Sequence, residues 1–463
     1  MRSRRGGGTV PSSGEYSLEH GIHVLYAPLA PRRPSSRALV PTKGAAWGPA
    51  GLPARTPFGT VGRRRQNSEP CTARLLPPDP PRRPPTPRPA RARPVSRSWT
   101  PRGRTRPGAR CRAGRAGRAP LQHVRPGPAR RGLERRMALR LGAARSVAVG
   151  SGTQALSLVL TAWLRDRDPG AREVVVPAFS FIATAGAVLE AGGTPVFADV
   201  DPASFLIDPA SVAEVASPRT AAIVPVHLFG APVGVAPLRA ALDAAGAADA
   251  LVLEDAAQAI DATFDGAPVG SLGNAAAFSF YPSKNLAAAG DAGLVSTSDA
   301  DLADRVARLR EHGVGTVAYE HVEPGTNARM DEMQAAVLLA RLGHLAGWTA
   351  DRRRQAARYI AALEGTAATP QHVDPRSDSA WHLFVARVPD RDAVRARLGE
   401  AGVSSGVYYP VPLHQQPALR PWSHASLPVA ERLAGDVLAL PCFPGMTEDE
   451  QERVLEALAG ALA

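Results

Sequence analysis

The chain has 463 residues, enough for two or three domains with an ample core. Its net charge of +13 joins two unlike parts: residues 1–130 carry 27 basic and 4 acidic residues, a net of +23, and residues 131–463 carry 28 and 38, a net of −10. Cys71, Cys111 and Cys442 have no metal-ligand spacing, and with only Cys442 beyond residue 130 a disulfide framework is excluded there, which fits a reducing cytoplasm.

Residues 1–119 read as a disordered Arg/Pro-rich extension. Of 45 prolines, 23 lie in the first 130 residues. Stretches such as PPDPPRRPPTPRPARARP have neither helical nor strand period and too little apolar surface to offset chain entropy. A basic arm of this kind could meet nucleic acid or an anionic membrane. No aromatic interleaving or binding motif accompanies it, so neither partner is expected. An upstream or out-of-frame extension encoded by GC-rich DNA accounts for the composition better than a functional arm. RSRRGGG is not followed by the apolar core of a signal peptide. No run of about 18 apolar residues reads as a membrane span.

From about residue 120 strand and helix signals alternate. Strands are expected at 145–150, 173–177, 194–200, 221–228, 250–256, 275–281 and 293–298. Helices are expected at TQALSLVLTAWLRD, through an Ala-rich segment to about Glu190, and at VAPLRAALDAAG. The alternation predicts an α/β domain with a mostly parallel sheet over 120–350. A long helical stretch from Met330 to Gly365 leads out of it, and a smaller α/β domain is expected over 351–463.

Three motifs carry the chemistry. GSGTQAL (150–156) joins a strand to a helix, where unpaired N–H groups attract phosphate. Gly152 allows close approach and Thr153 adds a hydroxyl, although Ser-Gly-Thr before a helix also serves as a simple N-cap. LVLEDAAQA (251–259) puts Asp255 at the carboxyl end of a strand, facing the ligand crevice of an open sheet, with Gln258 three residues on. Taken alone, Asp255 could equally be a capping or ion-paired carboxylate. FSFYPSKN places Ser279 on a strand and Lys284 in the turn beyond it.

Lys284 decides among these readings. The chain holds 55 basic residues and only two lysines, Lys43 and Lys284. A sequence this averse to lysine would put arginine at any ordinary surface position. An amine that must lose its proton and attack a carbonyl cannot be replaced by a guanidinium, which stays protonated. Lys284 therefore reads as a Schiff-base lysine. A phosphate cradle, such a lysine and an acid for a ring nitrogen together point to pyridoxal 5′-phosphate.

Residues from about 125 to the C-terminus resemble the DegT/DnrJ/StrS family of sugar aminotransferases, which are fold type I enzymes dependent on pyridoxal phosphate. The matching stretches include VAVGSGTQAL, VVVPAFSFIATAGAV, LEDAAQA, VGSLGNAAAFSFYPSKN, GTNARMDEMQAAVL and YYPVPLHQQPAL. The resemblance implies that Lys284 and Asp255 are catalytic, Asp255 pairing with the pyridinium. It implies that Gly152, Thr153 and Ser279 hold the phosphate, that Phe181 stacks on the ring and that Gln258 sits at its hydroxyl side. Asn327 would reach the cofactor phosphate of a second subunit, which implies a homodimer with shared sites. Arg329, Tyr409 and His414 would line the substrate site.

The sequence departs from the family pattern at Ala292, within GDAG, and at Ile260 and Asp261, where His-Gly is commoner. The implied reaction passes an amino group from an amino acid, glutamate, to a nucleotide-linked keto sugar in aminosugar biosynthesis, with no metal. The alternatives are a dehydratase of the same fold, which would carry histidine at the lysine position, and a non-catalytic regulator using the basic arm.

Overall fold

The computed structural model describes residues 127–463 except Ala318 and His424. The extension expected over 1–119 lies outside the described residues. Strands β1 (Arg145–Val149), β2 (Glu173–Pro177), β3 (Thr194–Ala198), β4 (Thr220–Ile223) and β5 (Leu251–Asp255) alternate with helices. A two-residue hairpin, β6 (Thr263–Phe264) and β7 (Ala267–Pro268), precedes β8 (Ala275–Ser279) and β9 (Gly293–Thr297). The seven longer strands form one sheet in the order β1-β9-β8-β5-β4-β2-β3. Only β9 runs against its neighbours, pairing antiparallel with β1 and β8.

These strands are apolar on both faces, as strands covered by helices on both sides must be. Alternate residues feed different clusters. Val174, Val176, Leu251 and Leu253 belong to one, while Val175, Ile223 and Val252 belong to another on the reverse face. Helix Gly152–Leu164 is apolar almost all round and lies buried in the first cluster.

The strands end where the sequence supplies a reason. The expected strand 221–228 stops at Ile223, because Pro225 has no N–H to continue the ladder. Its continuation turns through a 3₁₀ segment, Leu228–Gly230. The long stretch from Met330 is two helices, Glu332–Arg341 and Leu345–Leu363, parted by a 3₁₀ turn that contains Gly343. Helix Pro128–Leu141, which the periodicity alone does not announce, packs on β1 through Leu133, Met137 and Leu141.

Beyond these, β10 (Thr369–Pro370), β12 (Phe384–Arg387) and β13 (Val437–Leu440) form a separate antiparallel sheet, and β11 (Ser377–Asp378) joins the β6–β7 hairpin. Helices Arg391–Glu400 and Glu448–Leu462 bury Leu398, Val454 and Leu458 with Phe384, Leu438 and Leu440 in a third cluster.

Candidate active site

The carboxyl ends of β1, β5 and β8 and the turns beyond them bring the motif residues to one edge of the sheet. Ser151 caps helix Gly152–Leu164, accepting from the Gln154 N–H at 3.1 Å. Among the described residues the N–H groups of Gly152 and Thr153 have no partner. Gly152 lies against Ser279 so tightly that a Cβ there would come within 2.7 Å of the Ser279 Cβ. Gly293, on β9, faces the same turn, and a Cβ on it would overlap the carbonyl of Ser151. A helix N-terminus, two small residues and the Ser279 hydroxyl thus make a narrow cradle suited to an anion.

Asp255 is buried at the end of β5. The Thr184 hydroxyl donates to its Oδ2 at 2.8 Å and the Ala257 N–H to its Oδ1 at 3.2 Å. Ser180 meets the Thr184 hydroxyl at 3.1 Å, so two hydroxyls back the carboxylate. Burial raises the Asp255 pKa above the ordinary value; the Thr184 hydrogen bond and the Ala257 N–H oppose that rise. Thr184 is a site residue that sequence reasoning missed. Its one local signal is its place in the first turn of helix Ile182–Glu190, four residues after Ser180.

Lys284 sits half-buried in the turn after β8, its N–H bonded to the Tyr281 carbonyl at 2.8 Å. Burial pushes its amine down to about 8, and the Asp255 carboxylate pulls the other way. An amine in this range can shed its proton near neutral pH, which an ordinary surface lysine does not do.

Gln258 accepts from the Phe229 N–H at 2.6 Å and donates to the Tyr409 hydroxyl at 3.1 Å. Burial raises the Tyr409 pKa, so the phenol stays protonated. Phe181 is 53 % exposed, with its ring centroid 5.9 Å from that of Tyr409. Arg329 bridges to Val149, and the Gly150 N–H donates to the Ala328 carbonyl at 2.8 Å, so this strap lies beside the cradle.

Two expected site residues stand apart. Asn327 is exposed. His414 is buried, pairs through Nε2 with Glu431 at 3.1 Å and touches the ring of Phe197. At the departures, Asp261 adopts a left-handed φ of 71° and pairs with Arg140. A glycine, as the family pattern carries there, adopts that backbone more readily. Ala292 is buried, and its carbonyl accepts from the Phe280 N–H.

The profile of the DegT/DnrJ/EryC1/StrS aminotransferase family matches residues 119–459. The chain belongs to this family. A UDP-N-acetyl-3-dehydro-alpha-D-glucosamine 3-aminotransferase of Acidithiobacillus ferrooxidans is 42 % identical over 332 residues, covering 72 % of this chain and 88 % of the relative. A pleiotropic regulatory protein of Geobacillus stearothermophilus is also 42 % identical, over 71 % of this chain and 87 % of the relative. The crystal structure of S. venezuelae DesV in complex with a ketimine intermediate superposes with a TM-score of 0.69 at 39 % identity, covering 73 % of this chain and 90 % of that one. The α/β expectation of a pyridoxal-phosphate-dependent aminotransferase holds. The residues present fit that cofactor: a cradle that a single Cβ would fill, a depressed amine and a buried carboxylate share one edge of the sheet.

Proposed function

We propose that the chain transfers an amino group from an amino acid, glutamate, to a nucleotide-linked keto sugar at the edge formed by β1, β5 and β8. The observation that carries the assignment of roles is Lys284, the lone lysine of residues 120–463, held half-buried with its amine lowered to about 8. Pyridoxal phosphate, when bound, supplies the aldehyde that takes up the amino group and a ring that withdraws electrons from the bond being broken.

Asp255 holds negative charge where the ring nitrogen needs it, and Thr184 keeps that carboxylate oriented. Lys284 takes and returns a proton at Nζ. Gly152, Thr153 and Ser279 would hold the phosphate through N–H and hydroxyl groups. Phe181 would lie against the ring, and Gln258 would offer it a polar partner. Arg329 and Tyr409 border the substrate, whose diphosphate calls for a guanidinium partner. His414 acts there through the wall it ties to Glu431.

We further propose that residues 120–350 form the cofactor-binding domain and 351–463 a smaller domain. A homodimer with shared sites is supported by the exposed amide of Asn327 and by exposed Val317, Tyr319 and Val322 on the neighbouring turn. A cytoplasmic place fits the free, buried Cys442. No helix among the described residues is long and apolar enough to cross a membrane. The name of the Acidithiobacillus relative supports a nucleoside-diphosphate sugar with a keto group at carbon 3. The name of the Geobacillus relative suggests regulation instead. A regulator without chemistry would have no need of an amine at 284, where arginine would serve as well.

The deciding test is the near-visible spectrum of the protein with pyridoxal phosphate. A band that is absent in Lys284→Ala, and that glutamate converts to the pyridoxamine form, supports the assignment. A wild-type chain that forms no such band overturns it.

A further inference from the structure

The turn that carries Lys284 is exposed on one side: Tyr281, Pro282 and Ser283 all face solvent. The next residue, Asn285, is buried and spends both ends of its amide on one short segment. Its Nδ2 donates to the Ala380 carbonyl at 2.8 Å, and its Oδ1 meets His382 Nδ1 at 3.0 Å. With the amide so oriented, His382 Nδ1 carries the proton and donates.

Segment 380–382 is itself fixed from two other sides. Arg352 donates to the carbonyls of Trp381 and His382 at 3.1 and 2.9 Å. The Ala380 N–H donates to the Gly230 carbonyl at 3.0 Å, and Gly230 has a left-handed φ of 102°. A Cβ on Gly230 would come within 2.7 Å of the Trp381 nitrogen. Burial, with the nearby Lys284 and Arg352 charges, holds the His382 pKa well below the ordinary value, so its imidazole is neutral.

We propose that Asn285 and His382 form a clamp that positions Lys284 against the rigid 380–382 wall. Both are positioning residues, acting through the turn and not on the reacting atoms. Without the clamp the turn is free to relax toward water, and the amine regains solvation. The inference rests on the role given to Lys284 above.

The scarcity of lysine makes the clamp measurable without turnover. Trace acetylation of the full chain, freed of cofactor and followed across pH by the mass of the Lys284 peptide, reports the titration midpoint of that amine. The wild-type midpoint is expected near 8. Asn285→Ala and His382→Leu are each expected to raise it by about one unit, or about tenfold less labelling at pH 7. The double variant should move it no further than either single change, because both break one linkage. His382→Asn keeps a donor at the Nδ1 position and should hold the wild-type midpoint.

An unshifted midpoint in folded Asn285→Ala or His382→Leu overturns the clamp. If neither folds, His382→Gln decides, because its amide overlies Nε2 and leaves the Nδ1 position empty: a midpoint raised by about one unit supports the clamp, and one still near 8 overturns it. Borohydride reduction of the holoprotein separates the two levels. Failure to attach pyridoxal phosphate at Lys284 removes the proposed function, while the labelling midpoints still judge the clamp.

Discussion

Glu254 and Asp255 are neighbours on one strand, and their side chains go to opposite faces of the sheet. Glu254 is saturated. It accepts from the N–H groups of Gly270, Leu272 and Gly273 at 2.8–2.9 Å and from His227 Nε2 at 3.0 Å. His227 in turn accepts at Nδ1 from the Val233 N–H, which fixes the proton on Nε2. Among the described residues Asp255 has two donors, Thr184 and Ala257. A carboxylate whose acceptor sites are filled by its own chain is structural. One left with capacity, at the edge where the sheet opens, is available to a donor from outside.

The contrast can be broken from either face. Glu254→Ala strands three backbone N–H groups and a buried imidazole, and should lower unfolding stability by about 3–5 kcal/mol. The fraction that folds should keep its cofactor band. Asp255→Asn should do the reverse: transamination falls by on the order of 10²–10³-fold while the denaturant midpoint stays near wild type. Equal effects of the two variants on both measurements would abolish the distinction.

Thr184→Val sharpens it. Losing the donor should cost about 1–3 kcal/mol. It also removes the main influence holding the Asp255 pKa down, so the acid limb of the pH–rate profile should move to higher pH.

A last effect, confined to part of the pH range, concerns Lys284 in the cofactor-free protein. Its amine titrates near 8 when folded against 10.5 ordinarily, so between those values the unfolded chain binds more protons and stability rises with pH. Below about 8 the buried ammonium is a penalty. Lys284→Met should therefore be more stable than wild type at neutral pH, and the gap in midpoint should close as pH approaches 10.5.

Sequence disclosed those parts of the site whose chemistry dictates residue type. Lys284 stood out because the chain uses arginine almost everywhere else, whereas Gly152 and Asp255, each open to a capping role when taken alone, gained their proposed roles only in its company. The parallel order of the sheet followed from short apolar strands alternating with helices. What stayed hidden was made by partners remote in the chain. Thr184 meets Asp255 across 71 positions, and His382 meets Asn285 across 97. No local pattern marks either contact. Strand ends were overrun where a proline intervened, as at Pro225, and β13 is too short to declare itself before its pairing with β12 is known.

The closeness of Gly293 to the Ser151 carbonyl, and of Gly152 to Ser279, bears on how such an enzyme can diversify. At that end of the crevice any side chain at Gly152 or Gly293 would have to push neighbouring chain aside. Phe181 and Tyr409, by contrast, meet through their side chains, which point mutation can resize one at a time. On the proposed reading, a substitution at the anchoring end must move main chain, whereas one at Phe181 or Tyr409 reshapes only a side chain beside the guest.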